Sequence, residues 1–195
     1  MSIDVFIRFA PRNPVRTYIA AAVWARWKLE KDVNLHGLWM SGCDILTSCP
    51  NHFSVAHAFP EKDFCWTTRE YAAKHAKGEY YILADDDHLI LGDEWAKRAI
   101  RGVKPGYGIL SARSVVRGEY VDDPNRRGGG CPCIIRKGLG IDFSKLYGVK
   151  PCYQDPTIED ELLKNQLMQG YIPGLDYLHA GFGLSQVEPR CWLTY

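Results

Sequence analysis

Apolar residues fall in short blocks along the chain, and the period inside each block predicts an element. Ile3 to Phe9 (IDVFIRF) has the β-branched and aromatic content of a strand. Pro11, Asn13 and Pro14 turn the chain into a loop, and the alanine-rich stretch Thr17 to Lys28 carries a helical apolar period. Val33 to Met40 predicts a second strand, closed by Ser41-Gly42, and Cys49 to Phe64 reads as a polar, proline-punctuated connection. Thr67 to Ala76 predicts a helix with Thr67 or Thr68 as N-cap; Gly78 stops it and Glu79 to Ala84 is a strand. Gly92 to Val103 is amphipathic, with Asp93 and Glu94 early and Lys97, Arg98 and Arg101 late, the charge order a helix dipole favours. Tyr107 to Val116 and Cys131 to Arg136 predict strands on either side of a flexible loop, Glu119 to Gly130. Thr157 to Gln169 predicts a helix ended by Gly170, and Tyr171 to Leu178 a short strand. Strands and helices alternate early and less regularly later. The expected fold is an α/β/α sandwich on a mostly parallel, partly mixed central sheet.

The apolar block at Glu79 to Leu91 (EYYILADDDHLIL) breaks into three consecutive carboxylates, Asp85, Asp86 and Asp87. Adjacent aspartates repel one another, so packing does not account for them. In a parallel sheet, ligands bind beyond the carboxyl ends of the strands, where this triplet falls. Strand alternation puts Asp85 and Asp87 on one face and Asp86 on the other. It also turns the adjoining His88 away from Asp87 and out of the expected site. Paired carboxylates there suit a hard divalent cation bridging to substrate phosphates, whereas a lone aspartate would read as a helix cap or a solvated turn. A P-loop is absent, and an aspartyl-phosphate phosphatase would carry its D-x-D on the first strand.

Composition narrows this further. The chain has 195 residues, 46% of them hydrophobic, which is enough for one domain with a real core. With 24 basic and 23 acidic residues the formal net charge is +1, so charge alone gives nucleic-acid binding no support. Seven cysteines, odd in number and irregular in spacing, predict free thiols and a reducing compartment. Cys131-Pro132-Cys133 lacks zinc-ligand spacing. Asp4, Arg8 and Arg12 interrupt the N-terminal block, which therefore does not read as a signal peptide. No stretch approaches the ~20 apolar residues of a membrane span. A soluble, cytoplasmic protein is expected.

The segment Arg69 to Asp87 (REYAAKHAKGEYYILADDD) closely resembles the nucleotide-sugar segment of GT-A glycosyltransferases of the family 2 type. There an arginine opens a helix, a glycine-containing turn follows, and a strand delivers a D-x-D motif. Thr157 to Gly170 (TIEDELLKNQLMQG) resembles the x-E-D helix of that family, and His179 in DYLHAGFG resembles its C-terminal histidine. Each motif is weak alone, but they stand in family order. The resemblance implies a GT-A catalytic domain over residues 1–195, with residues 1–91 as the nucleotide-sugar half and residues 92–195 on the acceptor side. It implies Asp87 and His179 as ligands of Mn²⁺ or Mg²⁺, with Asp85 at the metal, a metal-bound water or the ribose. Phe9, Ala10, Arg12, Arg69 and Asp86 would line the nucleotide-sugar donor, expected to be UDP-linked. Asp160 would be the general base of an inverting transfer, and Glu159 would orient the acceptor.

Competing readings stand beside these. Thr157 to Asp160 also fits a helix-capping arrangement. A histidine among Tyr177, Leu178 and Phe182 is usually a buried, hydrogen-bonded one, although Gly181 and Gly183 permit close backbone approach to a ligand. Trp24, Trp27 and Trp39 fit core positions, Gly128-Gly129-Gly130 either a hairpin or a donor-sugar turn, and Trp192 a lid element. Family 2 enzymes usually carry an acidic pair after the second strand to read uridine; here Ser41 and Asp44 are imperfect substitutes. A small catalytic core suits a large acceptor: a glycan, a protein or a hydroxymethylated DNA base. Arg113, Arg117, Arg126, Arg127, Arg136 and Lys137 are candidates for a basic acceptor surface, or are ordinary solvated side chains. The same metal–diphosphate chemistry would serve a nucleotidyltransferase or a nucleotide-sugar hydrolase. A glycine-rich basic loop after the first strand would mark the nucleotidyltransferase, and FAPRNPVR has no glycine. A non-catalytic binding relative would tolerate loss of the acidic residues.

Overall fold

The computed structural model describes residues 2–10, 14–41, 55–61, 64–116, 119–120, 132–146 and 154–180. In chain order the elements are β1 (Ile3–Phe9), α1 (Pro14–Lys28), β2 (Val33–Met40), β3 (Val55–Phe59), α2 (Phe64–His75), β4 (Tyr80–Asp85) and β5 (His88–Ile90). They continue with α3 (Trp95–Arg101), β6 (Tyr107–Val116), β7 (Glu119–Tyr120), β8 (Cys133–Arg136), a 3₁₀ turn at Phe143–Leu146, α4 (Gln154–Lys164) and β9 (Met168–His179).

Among the described residues the strands form one sheet in the order β3-β2-β1-β4-β8-β6-β9-β5, with β7 hairpinned onto β6. Neighbours in the run β3-β2-β1-β4 are parallel, as are β6 and β9. Strand β8 runs antiparallel between β4 and β6, and β5 runs antiparallel on β9. The mixed α/β sandwich expected from the sequence is thus observed. Cys133, Ile134 and Ile135 of β8 are all buried, as a central strand covered on both faces requires.

Alternation along the strands divides the core in two. Val5, Ile7 and Phe9 of β1 face α1 and α3 with Trp24, Trp27, Trp95 and Ala99. Phe6 of the same strand faces the other way, with Trp66 and Ala72 of α2 and Ile158 and Leu162 of α4. The three tryptophans expected in the core, Trp24, Trp27 and Trp39, are there, each at most 3% exposed. Truncating a fully buried tryptophan such as Trp27 costs about 3–5 kcal/mol, so these side chains hold α1 to the sheet.

Several boundaries differ from expectation, each for a local reason. Helix α1 opens at Pro14, not Thr17, because a proline at the first helical position gives up only an N–H that has no intrahelical partner. Helix α2 opens at Phe64; Thr68 is inside it, and its hydroxyl donates to the Phe64 carbonyl at 2.6 Å instead of capping. Asp93 and Glu94 precede α3, with Glu94 in the left-handed region at φ 49°. The carboxylate that meets the start of α3 is Glu30, accepting from the Ala96 N–H at 3.1 Å. Strand β3, read as connection, pairs with the exposed side of β2. Helix α4 stops at Lys164, and the chain turns through Gln166 (φ 58°) straight into β9. Gly170 is therefore a strand residue opposite Leu110, in a place where a Cβ would approach Tyr107 to 2.6 Å. Thr157 falls inside α4, which removes the capping arrangement expected there. Cys65 and Cys133 are free thiols, as expected. No helix among the described residues is long and apolar enough to cross a membrane.

Candidate active site

Strand pairing brings the chemistry together at one end of the sheet. Arg8 near the end of β1 is the register partner of Asp85 at the end of β4. The chain does not continue as a strand after Asp85. Asp86 and Asp87 form a turn, and β5 starts again at His88. His88 is the register partner of His179 on β9, and the Ala180 N–H donates to the Asp87 carbonyl at 2.8 Å. Cross-strand partners project to the same face, so the two imidazoles meet beside Asp87, ring centroids 4.7 Å apart. The alternation that would have excluded His88 fails at the turn, and His88 belongs to the cluster.

Asp87 is the centre of this group. Its Oδ1 is 3.4 Å from His88 Nε2, and its Oδ2 is 3.2 Å from His179 Nε2. Ligand atoms of Asp87, His88 and His179 all lie within 4.8 Å of one another. Adjacent ligands around a cation with bonds of about 2.1 Å stand roughly 3 Å apart, so the spacing fits a metal ion. His88 Nδ1 is buried without a hydrogen bond among the described residues, and the nearest carboxylate, Asp85 Oδ2, is 3.8 Å away. One imidazole nitrogen at the metal and the other towards a carboxylate is how ligating histidines are usually held.

Two guanidiniums face the three carboxylates. Arg8 Nε donates to Asp85 Oδ1 at 2.6 Å. Arg16, near the start of α1, donates from Nη1 to Asp87 Oδ2 at 2.8 Å and from Nη2 to Asp86 Oδ1 at 3.3 Å. Asp86 also accepts from the Ala10 N–H at 2.9 Å. Asp86 thus points back towards β1 and α1 and is buried there, and because Arg16 bonds both Asp86 and Asp87, the alternation expected to set these two on opposite faces does not hold across the turn. Burial and the Asp87 charge push its pKa up to about 7, against Arg16 and the Ala10 N–H. Burial also opposes the Asp87 charge, but His88, the His179 hydrogen bond and Arg16 hold that carboxyl well below the usual range. Asp85 is held low by Arg8 and His88 against the burial that would raise it. Burial lowers the His88 pKa despite the aspartates beside it.

The remaining expected residues are placed less evenly. Phe9 is fully buried and stacks on Trp39, ring centroids 4.6 Å apart, so its side chain belongs to the core; Ala10 offers its N–H to Asp86. Arg69 is buried on α2, one turn from Trp66 and Ala72. Asp160 is exposed on α4 and Glu159 half-buried, and no hydrogen bond or ion pair joins Asp160 to the aspartate cluster among the described residues. Among the described side chains of that helix the buried acid is Glu161, 5% exposed and paired with Lys145 and Lys164. Arg136 is the register partner of Tyr80, and the Lys137 N–H donates to the Glu79 carbonyl, so both lie at the amino end of β4. Five residues of strand, roughly 16 Å, separate that end from Asp85, which takes these two out of a basic surface at the site. Arg12, Asp44, Arg117, Arg126, Arg127, Gly128 to Gly130, Gly181 to Gly183 and Trp192 lie outside the described residues. The sequence reading missed His88 and Arg16. Arg16 fell between the expected loop and the expected helix, and the signal for it was a basic residue two positions after a proline that can open a helix.

This sheet order, with a reversed strand beside the carboxylate-bearing one, is that of the GT-A fold, the fold of nucleotide-diphospho-sugar transferases. The chain is similar to Staphylococcus aureus TarS 1-349 in complex with UDP-GlcNAc, at 14% identity and a TM-score of 0.66 over 91% of this chain and 58% of that one. It is similar to the mannosyltransferase PcManGT from Pyrobaculum calidifontis in complex with GDP-Man and Mn²⁺, at 12% identity and a TM-score of 0.59, covering 91% of this chain and 56% of that one. It also matches CMP:2-keto-3-deoxy-manno-octonic acid synthetase complexed with CTP, at 10% identity and a TM-score of 0.61 over 97% and 98% of the two chains. The chain therefore spans a little over half the length of TarS 1-349 and of the mannosyltransferase. No family model matches it, and no curated protein sequence does.

Proposed function

We propose that this chain is a metal-dependent glycosyltransferase that moves a sugar from a nucleotide-sugar donor to an acceptor hydroxyl. The observation that carries the reading is the convergence of Asp87, His88 and His179, with Arg16 beside them, at the carboxyl end of a parallel sheet. Asp87, His88 and His179 hold the ion. Asp85, gripped by Arg8, lies 3.8 Å from the far nitrogen of His88, so it stands behind the metal instead of on it. Two imidazoles and one carboxylate suit Mn²⁺ better than Mg²⁺, which prefers an all-oxygen shell. When bound, the ion supplies Lewis-acid stabilisation of the diphosphate that leaves. Ala10 and the start of α1 line the donor with Asp86, and Arg12 and Arg69 are the further donor contacts of this reading. UDP is the expected nucleotide.

Asp160 is the base of this reading. It takes the proton of the acceptor hydroxyl as that oxygen bonds to the anomeric carbon and the bond from carbon to diphosphate breaks, inverting the configuration. Glu159 orients the acceptor. Residues 1–91 then form the donor side and residues 92–195 the acceptor side of one catalytic domain, acting on a hydroxyl of a glycan, a protein or a hydroxymethylated base.

A nucleotidyltransferase is the second reading, because the synthetase match covers nearly the whole of both chains. The glycine-free stretch after β1, FAPRNPVR, weighs against it. A screen of UDP-, GDP- and TDP-sugars and of CTP with Mn²⁺ or Mg²⁺, reading binding and the release of nucleotide or pyrophosphate, separates the two. Release of UDP with Mn²⁺ is expected. Binding of CTP with release of pyrophosphate favours the second reading, and no donor binding with either metal overturns the first.

A further inference from the structure

Arg16 occupies the atoms a metal would need. Its Nη1 sits 2.8 Å from Asp87 Oδ2, the same oxygen that His179 Nε2 approaches, while its Nη2 reaches Asp86 at 3.3 Å. A side chain only 19% exposed on the third residue of α1 is thereby held across two buried carboxylates. A divalent ion coordinated by Asp87 repels a guanidinium hydrogen-bonded to the same carboxylate. Both cannot keep Oδ2 at full strength.

We propose that Arg16 is a resident counter-cation of this site, displaced from Asp87 when a divalent ion enters and then turned, still tethered to Asp86, onto the anionic diphosphate of the donor. The inference rests on reading Asp87, His88 and His179 as the metal site. Asp86 makes the exchange short, because it holds the second arm of the guanidinium while the first is released. Arg16 also stands in the first turn of α1, which carries no acidic residue and lies at the helix end whose dipole favours an anion. The arrangement couples the two ligands. Metal binding frees the arginine for the diphosphate, and the diphosphate draws it from the carboxylate that the metal uses. Arg16 thus acts on the metal through Asp87 and on the donor by direct contact with its diphosphate.

The test is titration of the full chain with Mn²⁺, alone and with saturating UDP, by calorimetry, comparing wild type with Arg16→Gln and Arg16→Lys. Removing the competitor predicts that Arg16→Gln binds Mn²⁺ alone about tenfold more tightly. It also predicts a smaller gain in Mn²⁺ affinity on adding UDP than wild type shows. Arg16→Lys, which keeps the charge but loses the two-armed grip, is expected to shift both quantities the same way by a smaller factor, and it serves if the glutamine variant does not fold. A merely structural ion pair predicts the opposite sign, because a loosened Asp87 binds metal more weakly. Unchanged or weaker Mn²⁺ binding by both variants therefore overturns the role of Arg16 while leaving the metal site intact. A wild-type chain that binds no Mn²⁺ with or without UDP overturns the metal reading itself, and this inference with it.

Discussion

Each oxygen of Asp87 faces one imidazole, and the two histidines reach it by different routes: His88 through a tight turn, His179 through the end of a strand 92 residues away. If both are ligands, neither is dispensable. His88→Ala and His179→Ala are each expected to weaken Mn²⁺ binding by more than about tenfold, measured by calorimetry on the free protein. Wild-type affinity in His88→Ala, alongside a loss in His179→Ala, would reduce His88 to a neighbour of the site. At this scale Asp87 was legible in the sequence because an acidic run after an apolar block departs from what packing selects, whereas His179 was reached only through its resemblance to the C-terminal histidine of family 2 enzymes. His88 was not legible. Period-2 alternation holds only while the backbone stays extended, and the turn at Asp86 and Asp87 resets it. Arg16 was hidden for a related reason, since its meaning depends on a partner 71 residues downstream.

Buried charge also ties elements together at the other end of the sheet. Asp4 on β1 is 2% exposed, and its Oδ2 accepts the Lys77 N–H at 2.7 Å, in the turn between α2 and β4. Its Oδ1 meets His36 at 3.1 Å and Asn34 at 3.2 Å, both on β2. Burial would raise its pKa, but Lys77, His36 and Asn34 together bring it below the ordinary value. A carboxyl with a depressed folded pKa stabilises the fold above its unfolded pKa of about 3.9, and that contribution is lost as pH falls through the folded value. Asp4→Asn is thus expected to cost about 2 kcal/mol at pH 7, with the deficit shrinking below about pH 4. Urea unfolding midpoints across that range check it, and a deficit of the same size at both ends would mean that packing, not charge, is responsible. The clamp was not legible in the sequence, where Asp4 only interrupts an apolar block. Elements with strong periods, β1, α1, β2, β4 and β6, were legible to within a few residues. Strand β3 was not, because a five-residue edge strand holding two alanines and a histidine (VAHAF) has too little apolar alternation to announce itself. The end of α4 was misread because Leu167 and Met168 continue its apolar period after the backbone has already turned.

Across the whole molecule, the sheet sets a division of labour. The metal candidates and both guanidiniums stand at one end of the sheet, on β1, α1, β5, β9 and the turn after β4. Asp160 stands apart on α4, which packs through Ile158 and Leu162 onto the opposite face from α1. A general base separated in this way from the donor machinery contributes to transfer without contributing to donor capture. Asp160→Asn should therefore bind Mn²⁺ and nucleotide as wild type does while losing about 10²–10⁴-fold in the rate of sugar transfer. Asp87→Asn should lose metal binding itself, and donor affinity with it. The pair of variants separates the two halves of the proposal, because exposure on α4 leaves Asp160 little part in holding the fold. The comparison is made by calorimetry with Mn²⁺ and UDP, followed by turnover of whichever donor releases nucleotide. If Asp160→Asn turns over at the wild-type rate while Asp87→Asn does not, the metal site stands and the base must be sought elsewhere. Glu159, half-buried and one position nearer the start of α4, is then the first residue to substitute.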